Sequence, residues 1–278
     1  MIEGMRQDTS DTPAAAPSSP LYAALGLDGG PHPAVVAVVG GGGKTSLVYR
    51  LAREAAGDGR RAIVAGTTRF TRPQAPERMP PLVAAPLEHL PDRVREAWEE
   101  PDAPGVVVAA GDEPQPAGRL APLDGPTVER LARLPGIDLI VLEADGSKLR
   151  PFKAPAEHEP VIPACATHVV AVVGLDALDM PLVDEYVHRP DRVRAILQRA
   201  GVVSTQCSAA VIATVLASQE GGRKFVEDRP FVVVVNKAEL DPPRAELLGR
   251  HILEAGASRV VLTSLRAAGH PVRATLER

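Results

Sequence analysis

Four consecutive glycines, Gly40 to Gly43, run directly into Lys44, Thr45 and Ser46. Residues in this order suit one chemistry, the holding of a polyphosphate. Glycines let the backbone turn through angles that side chains forbid and aim its N–H groups into the bend. A lysine just beyond supplies a mobile cation for the outer phosphates, and a neighbouring threonine hydroxyl suits Mg²⁺. The general pattern G-x-x-x-x-G-K-[ST] asks for glycine at position 38, where this chain has Val38, whereas the tighter G-x-x-G-K-T fits 40–45. The loop is therefore expected to be two residues short or to begin its turn differently. Contacts to a nucleoside triphosphate are expected from Gly40, Gly41, Gly42, Gly43, Lys44, Thr45 and Ser46, with Thr45 on the metal.

Such a loop needs a strand before it and a helix after it. Val35-Val36-Ala37-Val38-Val39 is a β-branched run of the buried-strand kind. Leu47, Leu51 and Ala55 share one face of a helix predicted over 45–56. The first-turn N–H groups of that helix lack partners and carry the positive end of its dipole, which completes an anion site. Further apolar runs predict strands at 61–65, 106–110, 137–142, 168–173, 231–235 and 259–262, the last closing the chain. Helices are expected at 91–99, 191–200, 208–218 and 242–255, with another capped by Asp124 or Thr127 and ending near Leu134. The stretch 71–104 reads as irregular apart from its helix. Strands alternating with helices predict an α/β, three-layer, P-loop NTPase-like fold with a mostly parallel central sheet. Residues 1–20 are expected to be a disordered tail, and 21–278 one nucleotide-binding domain with a loop-rich insertion near 146–166.

In such sheets ligands sit at the carboxyl ends of the strands. Glu143 and Asp145 leave the fourth strand together, and either suits the metal and its water, with the other left to orient a nucleophile. Thr67 and Thr68 end the second strand and are placed beside the γ-phosphate. In the segment 147–160, Lys148, Arg150 and Lys153 suit a transferred phosphoryl group or an anionic substrate, and His158 suits acid–base work. Gly174-Leu175-Asp176 and His188-Arg189-Pro190 are read as framing a second pocket. Asn236-Lys237-Ala238-Glu239 is similar to the guanine-reading N-K-x-D, with glutamate for aspartate, and Thr263-Ser264-Leu265 falls where a further base-contacting loop belongs. ATP and GTP both stay open.

Composition narrows the partners. The chain has 278 residues, a net charge of −4 and 3% aromatic content, which argues against a broad nucleic-acid face or a base-stacking platform. No apolar run reaches the ~18 residues a membrane helix needs, and neither Cys165 nor Cys207 belongs to a C-x-x-C. Free thiols and a cytoplasmic location are expected.

GGGGKTS, the Thr67-Thr68 pair, the block EADGSKLRPFKAPAEHEPVIP and VVGLDAL together resemble the YqeC family over roughly residues 35–240. The resemblance implies a phosphate-loop nucleotide-binding protein acting in the maturation of molybdenum hydroxylases, on their selenium or sulfur ligand, with those enzymes or their maturation proteins as partners. It marks Gly40 to Thr45 as the nucleotide loop, and Glu143, Asp145, Lys148, Arg150, Lys153, Glu157 and His158 as family-block positions. The roles given above to those block positions come from their chemistry. Two rivals stand beside an NTPase or phosphoryl or nucleotidyl transferase: a nucleotide-gated scaffold for an apo-hydroxylase, and a selenium carrier using Cys165 or Cys207.

Overall fold

Val/Ile/Leu runs flanked by helices on both sides force a sheet buried on two faces. The computed structural model describes residues 20–71, 80–100, 102–116 and 118–278. The expected tail at 1–20 lies outside the described residues except for Pro20. In chain order the elements are α1 (Pro20–Ala24), β1 (Ala34–Gly40), α2 (Lys44–Gly57), β2 (Ala62–Gly66), β3 (Phe70–Thr71), β4 (Leu82–Ala85), α3 (Leu90–Glu99) and β5 (Val106–Gly111). Next come β6 (Arg119–Leu120), α4 (Gly125–Ala132), β7 (Leu139–Glu143), β8 (Phe152–Lys153), β9 (His168–Gly174), β10 (Val187–His188), α5 (Pro190–Arg199) and α6 (Ala209–Ala217). The chain closes with β11 (Phe231–Asn236), α7 (Pro242–Glu254), β12 (Arg259–Thr263) and β13 (Val272–Glu277).

Nine strands form one sheet in the order β13-β12-β11-β9-β1-β7-β2-β5-β4. Every pairing within it is parallel except β12 with β13. The period-two alternation divides the core between the two faces. Val35, Ala37 and Val39 of β1 join Ile140 and Leu142 of β7 on the face covered by α3 to α7, while Val36 and Val38 join Val141 and Leu47 of α2 on the other. The architecture is α/β with helices on both faces of a mostly parallel sheet.

Two sequence expectations change and one open alternative is decided. The stretch 71–104 contains β4, whose neighbouring prolines hide a four-residue edge strand. Arg259–Thr263 does not end the sheet, because β13 adds an antiparallel edge strand with every second residue exposed. Of the two cap candidates, Asp124 is the cap: its carboxylate accepts the Thr127 amide at 2.9 Å. No helix of the described residues is long and apolar enough to cross a membrane.

Candidate functional site

The central parallel strands end on a common edge, where Glu143 of β7, Asn236 of β11 and the segments that follow the strands build a cleft of about 530 Å³. Its walls include Gly42 to Ser46, Glu143, Ser147 to Leu149, His188, Arg189 and Asn236.

The glycine turn follows from its neighbours. Gly40 has φ 95 and Gly42 φ 76, both left-handed, and a Cβ on either would overlap the Val172 carbonyl or the Gly174 backbone. Three of the turn's amides are used within the protein. Gly40 N donates to both Asp145 oxygens at 3.1 Å, Gly41 N to Val172 O at 2.8 Å and Gly42 N to Arg150 O at 3.0 Å. Helical bonding in α2 begins with Leu47 N to Gly43 O, so the amides of Gly43, Lys44, Thr45 and Ser46 are the first-turn donors without intrahelical partners. The expectation that the whole glycine run presents its amides thus narrows to the head of α2. Neither Gly40 nor Gly41 lines the cleft.

Lys44 is 3% exposed. Its ammonium donates to Gly40 O at 2.7 Å and lies 3.2 Å from Asp145 and 3.9 Å from Glu143. The Thr45 hydroxyl donates to Glu143 Oε2 at 2.8 Å. The two candidate acids differ sharply. Glu143, the last residue of β7, faces the cleft beside Thr45. Asp145, 2% exposed, points behind the turn, where Lys153 meets it at 2.9 Å. Geometry separates the pair: Glu143 opens onto the cleft and Asp145 braces the turn.

Lys153 is the clearest departure from expectation. It is buried, donating to Glu159 at 2.8 Å and Gly146 O at 2.6 Å as well as meeting Asp145. β8 pairs with β10 in parallel, Lys153 opposite His188, which folds the segment inward. Arg189 adds a second cation on Glu159 at 2.7 Å. Burial pushes the Glu159 carboxyl up, but the Lys153 ammonium and the hydrogen bonds around it prevail and hold it at about 2. His188 is pushed down to about 4 by burial and by the charges of Arg189, Lys153 and Lys148, so its ring is neutral near pH 7. His188 and Arg189 line the glycine-turn cleft itself and do not frame a separate pocket.

Other expected residues fall in several places. Lys148 lines the cleft and is exposed. The Arg150 guanidinium instead donates to Asp184 O at 2.6 Å. His158 is exposed and Glu157 meets Arg192 at 3.3 Å; both stand away from the cleft. Thr67 donates to Val161 O at 2.5 Å, and Thr68 Oγ1 is buried without a partner among the described residues; neither lines the cleft. Asn236 donates to Gly42 O at 2.8 Å and accepts from Thr263 Oγ1 and Leu265 N at 3.2 Å each, bracing the turn against β12. Lys237 pairs with Asp176, and Glu239 lines the cleft with an exposed carboxylate.

A model of the YqeC protein family matches residues 36–191. The chain belongs to the YqeC family. The YqeC match spans the glycine turn, both acids and the Lys153–Glu159–Arg189 network, and stops before Asn236 to Glu239. A protein of Escherichia coli (strain K12) named YqeC is 33% identical over 158 residues, which cover 57% of this chain and 58% of that protein.

Sequence reasoning missed Arg69, Arg119 and Arg266, which also line the cleft. It also missed a backbone signal. Lys148, Leu149, Arg189 and Lys237, all on the cleft wall, have φ of 50, 63, 66 and 66. Left-handed non-glycine residues are costly and gather at functional sites. Only coordinates reveal them.

Proposed function

We propose that the chain is a phosphate-loop protein that binds a nucleoside triphosphate with Mg²⁺ and acts as an NTPase or phosphoryl or nucleotidyl transferase. One observation carries the reading: the head of α2 brings open amides, the Lys44 ammonium and the Thr45–Glu143 pair to a single cleft. Lys44 and the amides of Gly43 to Ser46 neutralise and orient the outer phosphates. Thr45 and Glu143 offer adjacent oxygens, the hard donors Mg²⁺ prefers, and so few protein ligands suit an ion that keeps its waters and takes phosphate oxygens. Bound there, Mg²⁺ would supply charge neutralisation at the phosphates. Asp145 holds the turn through Gly40 N and fixes Lys44. Rate acceleration in such a site comes from positioning and charge complementarity. The setting proposed is maturation of the selenium- or sulfur-bearing cofactor of molybdenum hydroxylases, as the YqeC resemblance implies.

The test is Mg²⁺-dependent phosphate release from ATP, GTP and CTP by the wild-type chain and by Lys44→Ala. Release by the wild type and its loss in the variant are expected; equal release by both would remove the enzymatic reading.

A second reading, a nucleotide-gated switch, draws on the bond from Gly42 N to Arg150 O. That bond ties the glycine turn to the segment holding Lys148 and Leu149. Turnover would then be negligible until an apo-hydroxylase is added. The carrier reading is disfavoured by thiol chemistry: burial pushes the Cys207 thiol to about 12 and raises that of Cys165 as well, whereas the thiolate is the nucleophile.

A further inference from the structure

The cleft has two sides. In sheet order, β7 and β2 stand on one side of β1, and β9 and β11 on the other. At ~4.8 Å between neighbouring strands, the ends of β2 and β11 lie roughly 19 Å apart. A nucleotide anchored at α2 with its base toward Asn236 and Glu239 fills the β11 side. On the β2 side, the chain leaving β2 forms an antiparallel ribbon in which Phe70 pairs with Leu120 and Thr71 with Arg119.

The ribbon's register decides what faces the cleft. Side chains alternate along a strand and directly paired residues share a face. Arg69, Thr71 and Arg119 therefore lie on one face, and all three line the cleft. Phe70 and Leu120 lie on the other, with Phe70 1% exposed and Leu120 packed against the core. The buried pair fixes the ribbon, and the arginines are held out by it. Among the described residues neither Arg69 nor Arg119 pairs with a carboxylate within 4.0 Å, whereas Arg189 on the same wall is held by Glu159. Planar guanidinium forks beside a hydroxyl match phosphate oxygens in pairs.

We propose that the Arg69–Thr71–Arg119 face binds a second, phosphate-bearing substrate beside the nucleotide. The inference rests on the nucleotide reading of the α2 half of the cleft. It makes the protein a two-substrate device whose acceptor is an anionic small molecule.

The test titrates inorganic pyrophosphate, with citrate as the carboxylate arm, into protein saturated with a non-hydrolysable nucleotide analogue and Mg²⁺. The wild type should bind pyrophosphate more tightly than citrate. Arg69→Ala/Arg119→Ala should weaken pyrophosphate roughly tenfold or more while leaving the analogue's affinity within about twofold. Arg69→Lys/Arg119→Lys, which keeps the charge without the fork, repeats the comparison if the alanine variant melts early. Three outcomes overturn the proposal: no pyrophosphate bound to the loaded wild type, citrate bound as tightly, or analogue affinity lost in parallel, which would give the arginines to the nucleotide. If the wild type binds no analogue, the nucleotide reading has failed, and pyrophosphate is titrated into the free protein. Dependence on Arg69 and Arg119 but not Lys44 would then still support the second site; dependence on Lys44 alone would sink it.

Discussion

Two groups of charges stand back to back at the end of β7. Lys44, Thr45 and Glu143 face the cleft; Asp145 and Lys153 are buried behind the turn, in a network that Glu159 and Arg189 carry round to the cleft wall. Glu143 and Asp145 are only two residues apart, yet one is available to a ligand and the other is not. Buried charges are strongly destabilising when one partner is removed, because the survivors are left without compensation. In the front group the Glu143 carboxylate opens onto the cleft, whereas Lys44 is buried and shared with Asp145. The rear group should therefore govern stability, Glu143 should govern ligand affinity, and Lys44 should count in both.

The sharpest way to break this contrast is Lys153→Met. It strips Asp145 and Glu159 of a shared cation and should cost about 3–5 kcal/mol in urea unfolding. A loss under about 1 kcal/mol would show that the rear group is no more structural than the front.

Acid should find the same group. Glu159 is held at about 2 in the fold against 4.5 for the free carboxyl. Its stabilisation is complete above pH 4.5 and is lost as pH falls toward 2, on the order of 3 kcal/mol in all. His188, pushed down to about 4 from 6.5, acts with the same sign, since the unfolded chain takes up its proton first. Stability should begin to fall below pH 6.5 and fall faster below 4.5. Unfolding measured at pH 7, 5 and 3.5 should show a shallower acid slope for Glu159→Gln than for the wild type; identical slopes would contradict the assignment.

Glu143→Gln should have the smallest effect on stability, about 1 kcal/mol or less, because the amide oxygen can still accept the Thr45 hydroxyl. It should nonetheless remove most of the enhancement that Mg²⁺ gives to nucleotide binding, read by titration with and without the ion. Large destabilisation, or undiminished Mg²⁺ enhancement, would merge the two groups into one.

The sequence shows the sheet well where strands are buried on both faces, because runs such as Val232 to Val235 and Val169 to Val173 carry an unbroken apolar signal. It shows the edges poorly. β4 is four residues long among prolines, and β13 alternates half-buried and exposed residues, so neither carries a continuous apolar signal. The glycine turn and α2 are plain in Gly40 to Ser46. The division between Glu143 and Asp145, and the burial of Lys153, are not. Both depend on how 146–160 folds back through the pairing of β8 with β10, a contact between short strands distant in sequence. Arg69 and Arg119 are brought together in the same way, by a ribbon whose two strands lie far apart in the chain.

The central claim is that the head of α2 receives a triphosphate, and the most direct measurement is the stability of the wild type and Lys44→Ala with Mg²⁺ and ATP, GTP or CTP, set against the bare nucleosides. At ~100 Kd the right nucleotide should add roughly 2.7 kcal/mol to the wild type. Removing the ammonium should weaken its affinity about 100-fold, and nucleosides should add little to either protein. A wild type indifferent to all three triphosphates, or a Lys44→Ala variant stabilised equally, would contradict it.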